Sequence, residues 1–342
     1  MASMEVQLGK RVLRNPVVLA GGTCGVMGEI GDAIDLNSIG AITTKSITKE
    51  SRKGNEPFRI VDHHYGMMNA IGLANEGIDS FISNQAPKAI SLPTVVIGSV
   101  AGHTIDEYVA VASAMDKAQG IELIEINVSC PNTADGLEFG ACPKQLQTLL
   151  QEIRPALQNS GMIVKLSAAA GDVRPHAATA VDCGADALTL INTIPGLAIN
   201  VETKEPVLSR GIGGFSGGAI HPIAVRIVHE VYRDVTQSTS VPIIGTGGRR
   251  QWLCHLYLGA SLAMPITVSV SDNTVSEMPS RPWSTSSGRS LLGLSQVTET
   301  FSIPSRLPSS RSIAPAIAWC SNASISGCAS FTIARPSTNA TS

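Results

Sequence analysis

The sequence lacks the features that would assign it to a membrane or to a nucleic acid. Its 342 residues contain no apolar run as long as the roughly 18 residues that a transmembrane helix requires. The formal net charge of −2 gives no electrostatic reason to bind nucleic acid or an anionic membrane. The amino-terminal MASMEVQLGKRV has no apolar core of a signal peptide. We therefore expect a cytoplasmic protein that binds neither nucleic acid nor membranes.

Motifs for metals, disulfides and hydrolytic triads are missing as well. There is no H-E-x-x-H motif and no Ser-His-Asp order. The cysteines are odd in number and never form C-x-x-C, so we expect no disulfide framework, zinc site, iron–sulfur site or other metal site within this chain. They are Cys24, Cys130, Cys142, Cys183, Cys254, Cys320 and Cys328.

Short apolar, β-branched runs alternate with helix-like segments. This alternation predicts a parallel sheet, and seven successive units favour a (β/α)8 barrel over an open doubly wound sheet. The Thr104 and Glu107 pair has the spacing of a capping box at the start of one helix. The predicted strands lie in 15–22, 40–48, 93–102, 122–130, 162–168, 187–193 and 241–248, and the clearest predicted helices in 104–119, 143–157 and 221–235.

Polar residues collect where the predicted strands end, which is where such barrels place their active sites. Lys45 and Lys165 stand among apolar neighbours, and a buried lysine is costly unless an anion pairs with it. An anionic cofactor or substrate explains both better than lysines that extend to the surface. Four asparagines at strand ends suit a planar ring with imide and carbonyl groups, although each alone would be explained by a turn. They are Asn69, Asn127, Asn132 and Asn192.

Cys130 lies between two of these asparagines. A free thiol has a pKa of about 8.5, low enough to act as a base near neutrality. A small buried hydrophobe is the commoner role of a free cysteine, but the flanking amides favour a function. The glycine pairs in GGFSGG (213–218) and GTGG (245–248) favour phosphate binding over ordinary turns, because backbone N–H groups can approach a phosphate there.

The composition changes after residue 248. Between 261 and 342 there are 21 serines, no lysine and three acidic residues, which is typical of low-complexity coil. The domains are therefore predicted as a catalytic barrel over 1–248 and an aberrant, poorly ordered tail over 249–342. The nearest candidate for an eighth strand is LYLGASLAM (256–264).

From about residue 4 to 248 the sequence resembles the dihydroorotate dehydrogenases, specifically the heteromeric class 1B catalytic subunit. The motifs that carry the resemblance are INVSCPN, SRKGNEPFRI, GMMNAIGLANEGID, LINTIPGLAINVETKEPVLSRGIGGFSGGAIHPIA and PIIGTGG. In this family the helix and strand after GTGG complete the phosphate site. Here RRQWLCH follows instead, and we hypothesise that the tail is read out of frame, from a frameshift or a sequence error.

The resemblance implies an FMN-containing (β/α)8 barrel that oxidises dihydroorotate to orotate in pyrimidine biosynthesis. Cys130 would remove the C5 proton while hydride leaves C6 for FMN, and Lys165 would stabilise the reduced flavin. Orotate would be held by Lys45, Asn69, Ala70, Ile71, Gly72, Leu73, Asn127, Asn132, Asn192 and Thr193. FMN would be lined by Gly21, Lys45, Ser46, Ser99, Asn127, Lys165, Ile191, Gly217, Gly247 and Gly248.

The same resemblance predicts a homodimer joined to a subunit that carries FAD and a 2Fe-2S cluster, in a heterotetramer that passes electrons to NAD. Two other interpretations stay open. One is a related flavin barrel that acts on another pyrimidine, as dihydropyrimidine dehydrogenase does. The other is a truncated, non-catalytic remnant that holds no flavin.

Overall fold

The computed structural model describes residues 4–129 and 139–248, and the backbone of short strands between 254 and 332. Contacts divide the chain into two units, Met1–Thr267 with Ile313–Ser342, and Val268–Ser312. The description concerns the first unit. Cys130, Asn132 and most of the predicted tail lie outside the described residues.

The described strands, in chain order, are β1 (Val6–Leu8), β2 (Arg11–Leu13), β3 (Val17–Leu19), β4 (Ala41–Thr43), β5 (Ile60–His63), β6 (Gly66–Asn69), β7 (Val95–Val100), β8 (Ile121–Asn127), β9 (Gly161–Leu166), β10 (Ala187–Leu190), β11 (Ile194–Leu197), β12 (Ile212–Ser216), β13 (Ile243–Gly245), β14 (Cys254–Leu258), β15 (Leu262–Ile266), β16 (Ile317–Ala318), β17 (Cys320–Ala323) and β18 (Gly327–Thr332).

The described α-helices are α1 (Ile78–Ser80), α2 (Ile105–Asp116), α3 (Pro143–Ile153), α4 (Arg174–Asp182) and α5 (His221–Val231). Short 3-10 or π-helical turns occupy Glu29–Asp32, Leu36–Ser38, Phe81–Gln85, Ala86–Ser91, Phe139–Ala141, Arg154–Ala156, Ala168–Ala170, Gly218–Ile220 and Tyr232–Thr236. Within the described ranges, no helix has the length and apolarity needed to cross a bilayer.

The predicted apolar runs form one parallel sheet, which confirms the barrel class. The strands pair in the order β3, β4, β7, β8, β9, β10 and β13, and each pair is parallel. Helices α2 to α5 lie in the connections between successive strands from β7 onward, as the right-handed crossovers of parallel strands require.

The sheet closes through an unexpected strand. β18 pairs antiparallel with β13 on one side and with β3 on the other. The nearest candidate for an eighth strand, 256–264, does not join the described barrel sheet, because β14 and β15 pair with each other as an antiparallel hairpin. Two strands separated by only a few residues satisfy their backbone groups locally at little cost in chain entropy.

The barrel interior changes from apolar to polar along the strands. One residue from each described parallel strand joins an apolar cluster with Leu8 and Leu13, which come from the β1–β2 hairpin. These residues are Val18, Ala41, Ile97, Leu123, Ile163, Ala187 and Ile244. Side chains on a strand alternate with period two, so the next inward layer comes two residues later. That layer includes the buried Thr43, Ser99, Glu125, Lys165 and Thr189.

The three predicted helices are present with small changes at their ends. The Thr104 hydroxyl accepts a hydrogen bond from the Glu107 backbone N–H (3.2 Å) and so caps α2, as the sequence predicts. α2 ends at Asp116 instead of 119, and the Asp116 side chain accepts hydrogen bonds from backbone N–H groups of the chain before β9. α3 and α5 each continue into a short irregular turn.

A second, antiparallel sheet was not predicted. Its strand order is β11-β12-β6-β5, and its strands are inserted after β4 and after β10. It is therefore built at the carboxyl end of the barrel strands. The reading of GGFSGG as a loop needs correction, since its first four residues belong to β12. Glycine is required there because a Cβ on Gly214 would lie 2.1 Å from Thr193 Oγ1.

Candidate functional site

Asn127, the last residue of β8, joins three strand ends. Its Nδ2 donates to Ser46 Oγ (3.2 Å), and its Oδ1 accepts from Asn192 Nδ2 (3.1 Å). Ser46 Oγ lies 2.9 Å from Ser99 Oγ. Asn192 Nδ2 also donates to Ser129 Oγ (2.9 Å). The predicted residues Ser46, Ser99, Asn127 and Asn192 are thus brought into one hydrogen-bonded cluster.

A buried ion pair lies beneath this cluster. Lys165 stands beside Asn127 in the β8–β9 register, and its Nζ lies 3.8 Å from Glu125 Oε1. Glu125 Oε2 accepts from the Thr189 hydroxyl (3.0 Å), whereas Oε1 has no hydrogen-bond partner. A Cβ on Gly21 would lie 3.5 Å from Glu125 Oε1, so the predicted Gly21 borders the same pair. The sequence analysis missed Glu125 and Thr189.

Lys45 follows β4 and is half-buried. No ion pair or hydrogen bond to its Nζ occurs within the described ranges. Burial lowers the pKa of Lys45 below its usual value, and the positive charge of Arg59 lowers it further. A cation whose charged form is disfavoured in this way is prepared to receive an anion.

The segment Asn69–Leu73 is held in an unusual backbone shape. Gly72 and Leu73 both have positive φ, 74° and 55°. The Asn55 backbone N–H donates to Ile71 O (3.0 Å) and its Nδ2 donates to Ala70 O (2.8 Å). Since a positive φ at leucine costs about 1 kcal/mol or more, the surrounding hydrogen bonds must fix this shape. The backbone N–H and C=O groups of this segment are therefore held in fixed positions beside Asn69, where they can bind a ligand.

The two glycine loops meet at one point. Gly248 has a φ of 53°, and a Cβ there would lie 1.7 Å from Gly217 O. His221 Nδ1 donates to Gly247 O (3.0 Å), and Ile191 N donates to Thr246 O (3.0 Å). α5 begins at His221, so both loops lie beside the start of a helix. Backbone N–H groups at the start of a helix favour an anion.

Several described members of the predicted site follow or end barrel strands on the same side of the barrel, and Ser99 and Lys165 are the last residues but one of β7 and β9. Lys45 and Ser46 follow β4, Asn127 ends β8, and Gly247 and Gly248 follow β13. The predicted roles of Cys130 and Asn132 fall outside the described residues, although Ser129 belongs to the asparagine cluster. In the described ranges, no group of three or more His, Cys, Asp or Glu side chains is arranged to hold a metal.

Comparisons with known proteins point to one family. The family model described as "Dihydroorotate dehydrogenase" matches residues 3–263. The chain is 42% identical over 247 residues to the "Dihydroorotate dehydrogenase B (NAD(+)), catalytic subunit" of Thermoanaerobacter sp. (strain X514), covering 72% of this chain and 80% of the relative.

Similar relatives come from other bacteria. The protein of the same name from Geobacter sp. (strain M21) is 40% identical over 282 residues, which cover 81% of this chain and 91% of the relative. That of Bacteroides fragilis (strain YCH46) is 39% identical over 253 residues, covering 74% of this chain and 82% of the relative.

Proposed function

Because the chain belongs to the dihydroorotate dehydrogenase family of flavin-dependent oxidoreductases, we propose that it oxidises dihydroorotate to orotate in pyrimidine (UMP) biosynthesis with FMN as its cofactor. The observation that carries this proposal is the polar cluster at the carboxyl end of the barrel, where an apolar interior gives way to asparagine, serine and lysine side chains.

The described residues fit the FMN part of the proposal. The junction of Gly217 and Gly248 leaves backbone N–H groups free of side chains at the start of α5, which suits a phosphate. Lys165 offers a donor in the barrel interior, and Glu125 Oε1, which has an ion-pair partner but no hydrogen bond among the described residues, offers an acceptor. When bound there, FMN supplies the chemistry of accepting hydride. Lys165 would then face the negative charge of the reduced flavin.

Amide groups support the substrate part. A dihydropyrimidine ring carries N–H donors and carbonyl acceptors, and an amide side chain can serve both. Asn127 and Asn192 are fixed to each other by a hydrogen bond, so their orientation is set before a ligand arrives. Lys45 would meet the carboxylate of dihydroorotate, which dihydrouracil lacks, and this favours dihydroorotate over the substrate of a dihydropyrimidine dehydrogenase.

Cys130 is proposed as the base. Its thiolate would take the C5 proton of dihydroorotate while hydride leaves C6 for the cofactor, which forms the C5–C6 double bond of orotate. Support comes from the motif INVSCPN and from the adjoining Ser129, whose hydroxyl accepts from Asn192. The base would therefore come directly after Ser129 in the chain, next to the residues that hold the ring.

Partners are proposed from the relatives' names, which give NAD(+) and describe a catalytic subunit. We infer that electrons leave through a subunit that carries FAD and a 2Fe-2S cluster, and that two copies of the chain join two such subunits. The exposed side chains of Ile60, Leu197 and Ile212 support an interface. The strand registers place these three side chains on the same face of the antiparallel sheet as Asn69.

The test is the visible spectrum of the purified full chain without oxygen, before and after dihydroorotate is added. We expect a flavin absorption band at about 450 nm that bleaches when dihydroorotate is added. A colourless protein would favour the non-catalytic remnant. A band that bleaches with dihydrouracil and not with dihydroorotate would replace the proposed substrate with another pyrimidine.

A further inference from the structure

Two cations meet at the site without an anion. Besides Lys45, Arg59 is partly buried, and its Nε is fully shielded from solvent with no hydrogen-bond partner. Burial lowers the pKa of Lys45, and the nearby positive charge of Arg59 lowers it further. Within the described ranges, neither side chain has a carboxylate within ion-pair distance. Two neighbouring cations repel each other, and a bound anion would offset this repulsion. We therefore expect a negatively charged ligand here.

The backbone fixes Arg59 beside the proposed substrate segment. Arg59 directly precedes β5, and its carbonyl oxygen accepts from the Ala70 backbone N–H (2.7 Å). A Cβ on Gly54 would lie 2.4 Å from Ile71 O and 3.4 Å from Arg59 Nη1. The guanidinium group is therefore packed against Gly54, next to the chain that runs from Asn69 to Leu73.

The cofactor phosphate is a poor candidate for this anion. The glycine junction contacts the start of β6, since a Cβ on Gly217 would lie 2.4 Å from Gly66 Cα. Arg59 instead lies opposite Ala70, next to Asn69, which is at the other end of β6. At about 3.3 Å per residue these ends are roughly 10 Å apart. The anion between Lys45 and Arg59 thus belongs to the ring-binding end of the site.

We propose that Arg59 is a substrate-binding residue that, with Lys45, receives the carboxylate of dihydroorotate and orotate. This inference rests on the proposed function. A guanidinium group presents paired N–H donors that match the two oxygens of a carboxylate, whereas lysine supplies a point charge. Arg59 would therefore fix the orientation of the carboxylate, and with it the position of the ring over the asparagine cluster.

The test measures the orotate dissociation constant of the full chain by titration calorimetry, for wild type, Arg59→Met and Arg59→Lys. The control is Arg226→Met, which removes an exposed arginine from α5 whose ion-pair partner among the described residues is Glu230. We expect Arg59→Met to weaken orotate binding about 10- to 100-fold, the usual range for losing a charged hydrogen bond. Arg59→Lys should lose less, and Arg226→Met should stay within about twofold.

Flavin content and the thermal midpoint of each variant separate a binding role from a structural one. The proposal is supported if Arg59→Met keeps its flavin and midpoint while losing orotate affinity. It is overturned if orotate binds as tightly to Arg59→Met as to wild type, or if flavin is lost in parallel. A wild-type chain that binds no orotate refutes the proposed function itself. If the wild type turns over dihydroorotate normally and Arg59→Met has the same orotate affinity as wild type, only the Arg59 assignment is refuted.

Discussion

At the scale of single residues, buried polar side chains explain both the order and the chemistry of the site. Glu125 and Lys165 form an ion pair with less than a tenth of either side chain exposed. Removing one member of such a pair leaves the other charge buried and uncompensated, which is more costly than the pair itself is stabilising. The same layer carries Thr189, whose hydroxyl orients Glu125.

Replacing Glu125 by Gln should therefore destabilise the barrel. Glutamine keeps an acceptor for Thr189 but removes the charge that faces Lys165. We expect the free energy of unfolding to fall by about 3 kcal/mol, measured by urea denaturation at equal flavin content. Glu230→Gln is the matched control, because it breaks an exposed pair with Arg226 and should cost at most about 0.5 kcal/mol. Equal effects of the two changes would show that burial of the pair is irrelevant.

Replacing Cys130 by Ser tests the proposed base. A serine hydroxyl is a far weaker base than a thiolate, so we expect flavin reduction by dihydroorotate to slow by a factor of about 10² to 10⁴. Stopped-flow bleaching of the flavin measures this rate. Orotate affinity should be unchanged, since the ring is held by the asparagines. A variant that keeps the wild-type rate would exclude Cys130 as the base.

The sequence predicted only part of the residue-level site. Lys45, Asn127, Asn192 and Lys165 were found because polar residues at apolar strand ends are conspicuous. Glu125 was missed, although it follows Leu123 by two residues. Period two places both side chains inside the barrel, but that signal is readable only once the inward face of the strand is known. Arg59 gave no such signal, because its proposed role depends on the antiparallel sheet.

At the scale of elements, Asp116 connects α2 to the chain before β9. Its carboxylate accepts from the backbone N–H groups of Gln158, Asn159 and Ser160. An aspartate at the end of a helix opposes the helix dipole, so these bonds explain why it is there. Burial alone would raise the pKa of Asp116, but the N–H donors outweigh it and hold the pKa below its usual value.

Replacing Asp116 by Asn should cost about 2 to 4 kcal/mol of unfolding free energy near pH 7, because hydrogen bonds to a charged acceptor are lost. Since the folded pKa is the lower one, this stabilisation is complete above the ordinary value of 3.8 and is lost as pH falls through the folded pKa. The gap between wild type and variant should therefore narrow below about pH 4. Urea unfolding of wild type and variant near pH 7 and below about pH 4 measures this difference in unfolding free energy.

The control is Asp182→Asn, at the exposed end of α4. With no backbone donors bound to it, this change should be neutral or slightly stabilising at all pH values, because it removes an unfavourable interaction with the helix dipole. If Asp116→Asn behaves in the same way, the bonds to residues 158–160 contribute little.

The glycine junction gives a second prediction at this scale. Gly248→Ala would place a methyl group against Gly217 O, so we expect the two loops to separate and the flavin to be lost. Gly184→Ala is the control, since Gly184 also has a positive φ but only ordinary contacts. It should cost about 1 kcal/mol and keep the flavin. Flavin per chain and the thermal midpoint distinguish the variants, and full flavin in Gly248→Ala would contradict the phosphate assignment.

At the scale of the whole molecule, the strands of the parallel sheet were predictable and the closure was not. Val95–Val100 and Ile121–Asn127 are recognisable because strands buried on both faces are almost continuously apolar. The antiparallel sheet was hidden by glycine-rich chain such as Ile212–Ser216, which has turn-like composition. β18 lies in a serine-rich segment, and its place in the barrel follows only from its pairing with β3 and β13.

Truncation tests the importance of β18. A chain that ends at residue 248 would leave β3 and β13 with unpaired edges, which favour association between molecules. We expect this chain to aggregate or to unfold at a lower urea concentration than the full chain. Size-exclusion chromatography measures the aggregation, and urea denaturation measures the stability. A chain that ends at residue 332 keeps β18 and serves as the control. If both truncated chains match the full-length protein, closure by β18 contributes nothing to stability.

The pairing of β18 with β3 also has a kinetic consequence. Leu19 pairs with Ala329, about three hundred residues away along the chain, whereas the other barrel strands pair with neighbours that are much closer in sequence. Contacts between such distant segments form slowly, and β18 cannot pair with β3 until the chain between the two strands has been synthesised. The nascent barrel must therefore stay open until β18 has emerged, and its rate of closure sets how long its strand edges are exposed to other chains.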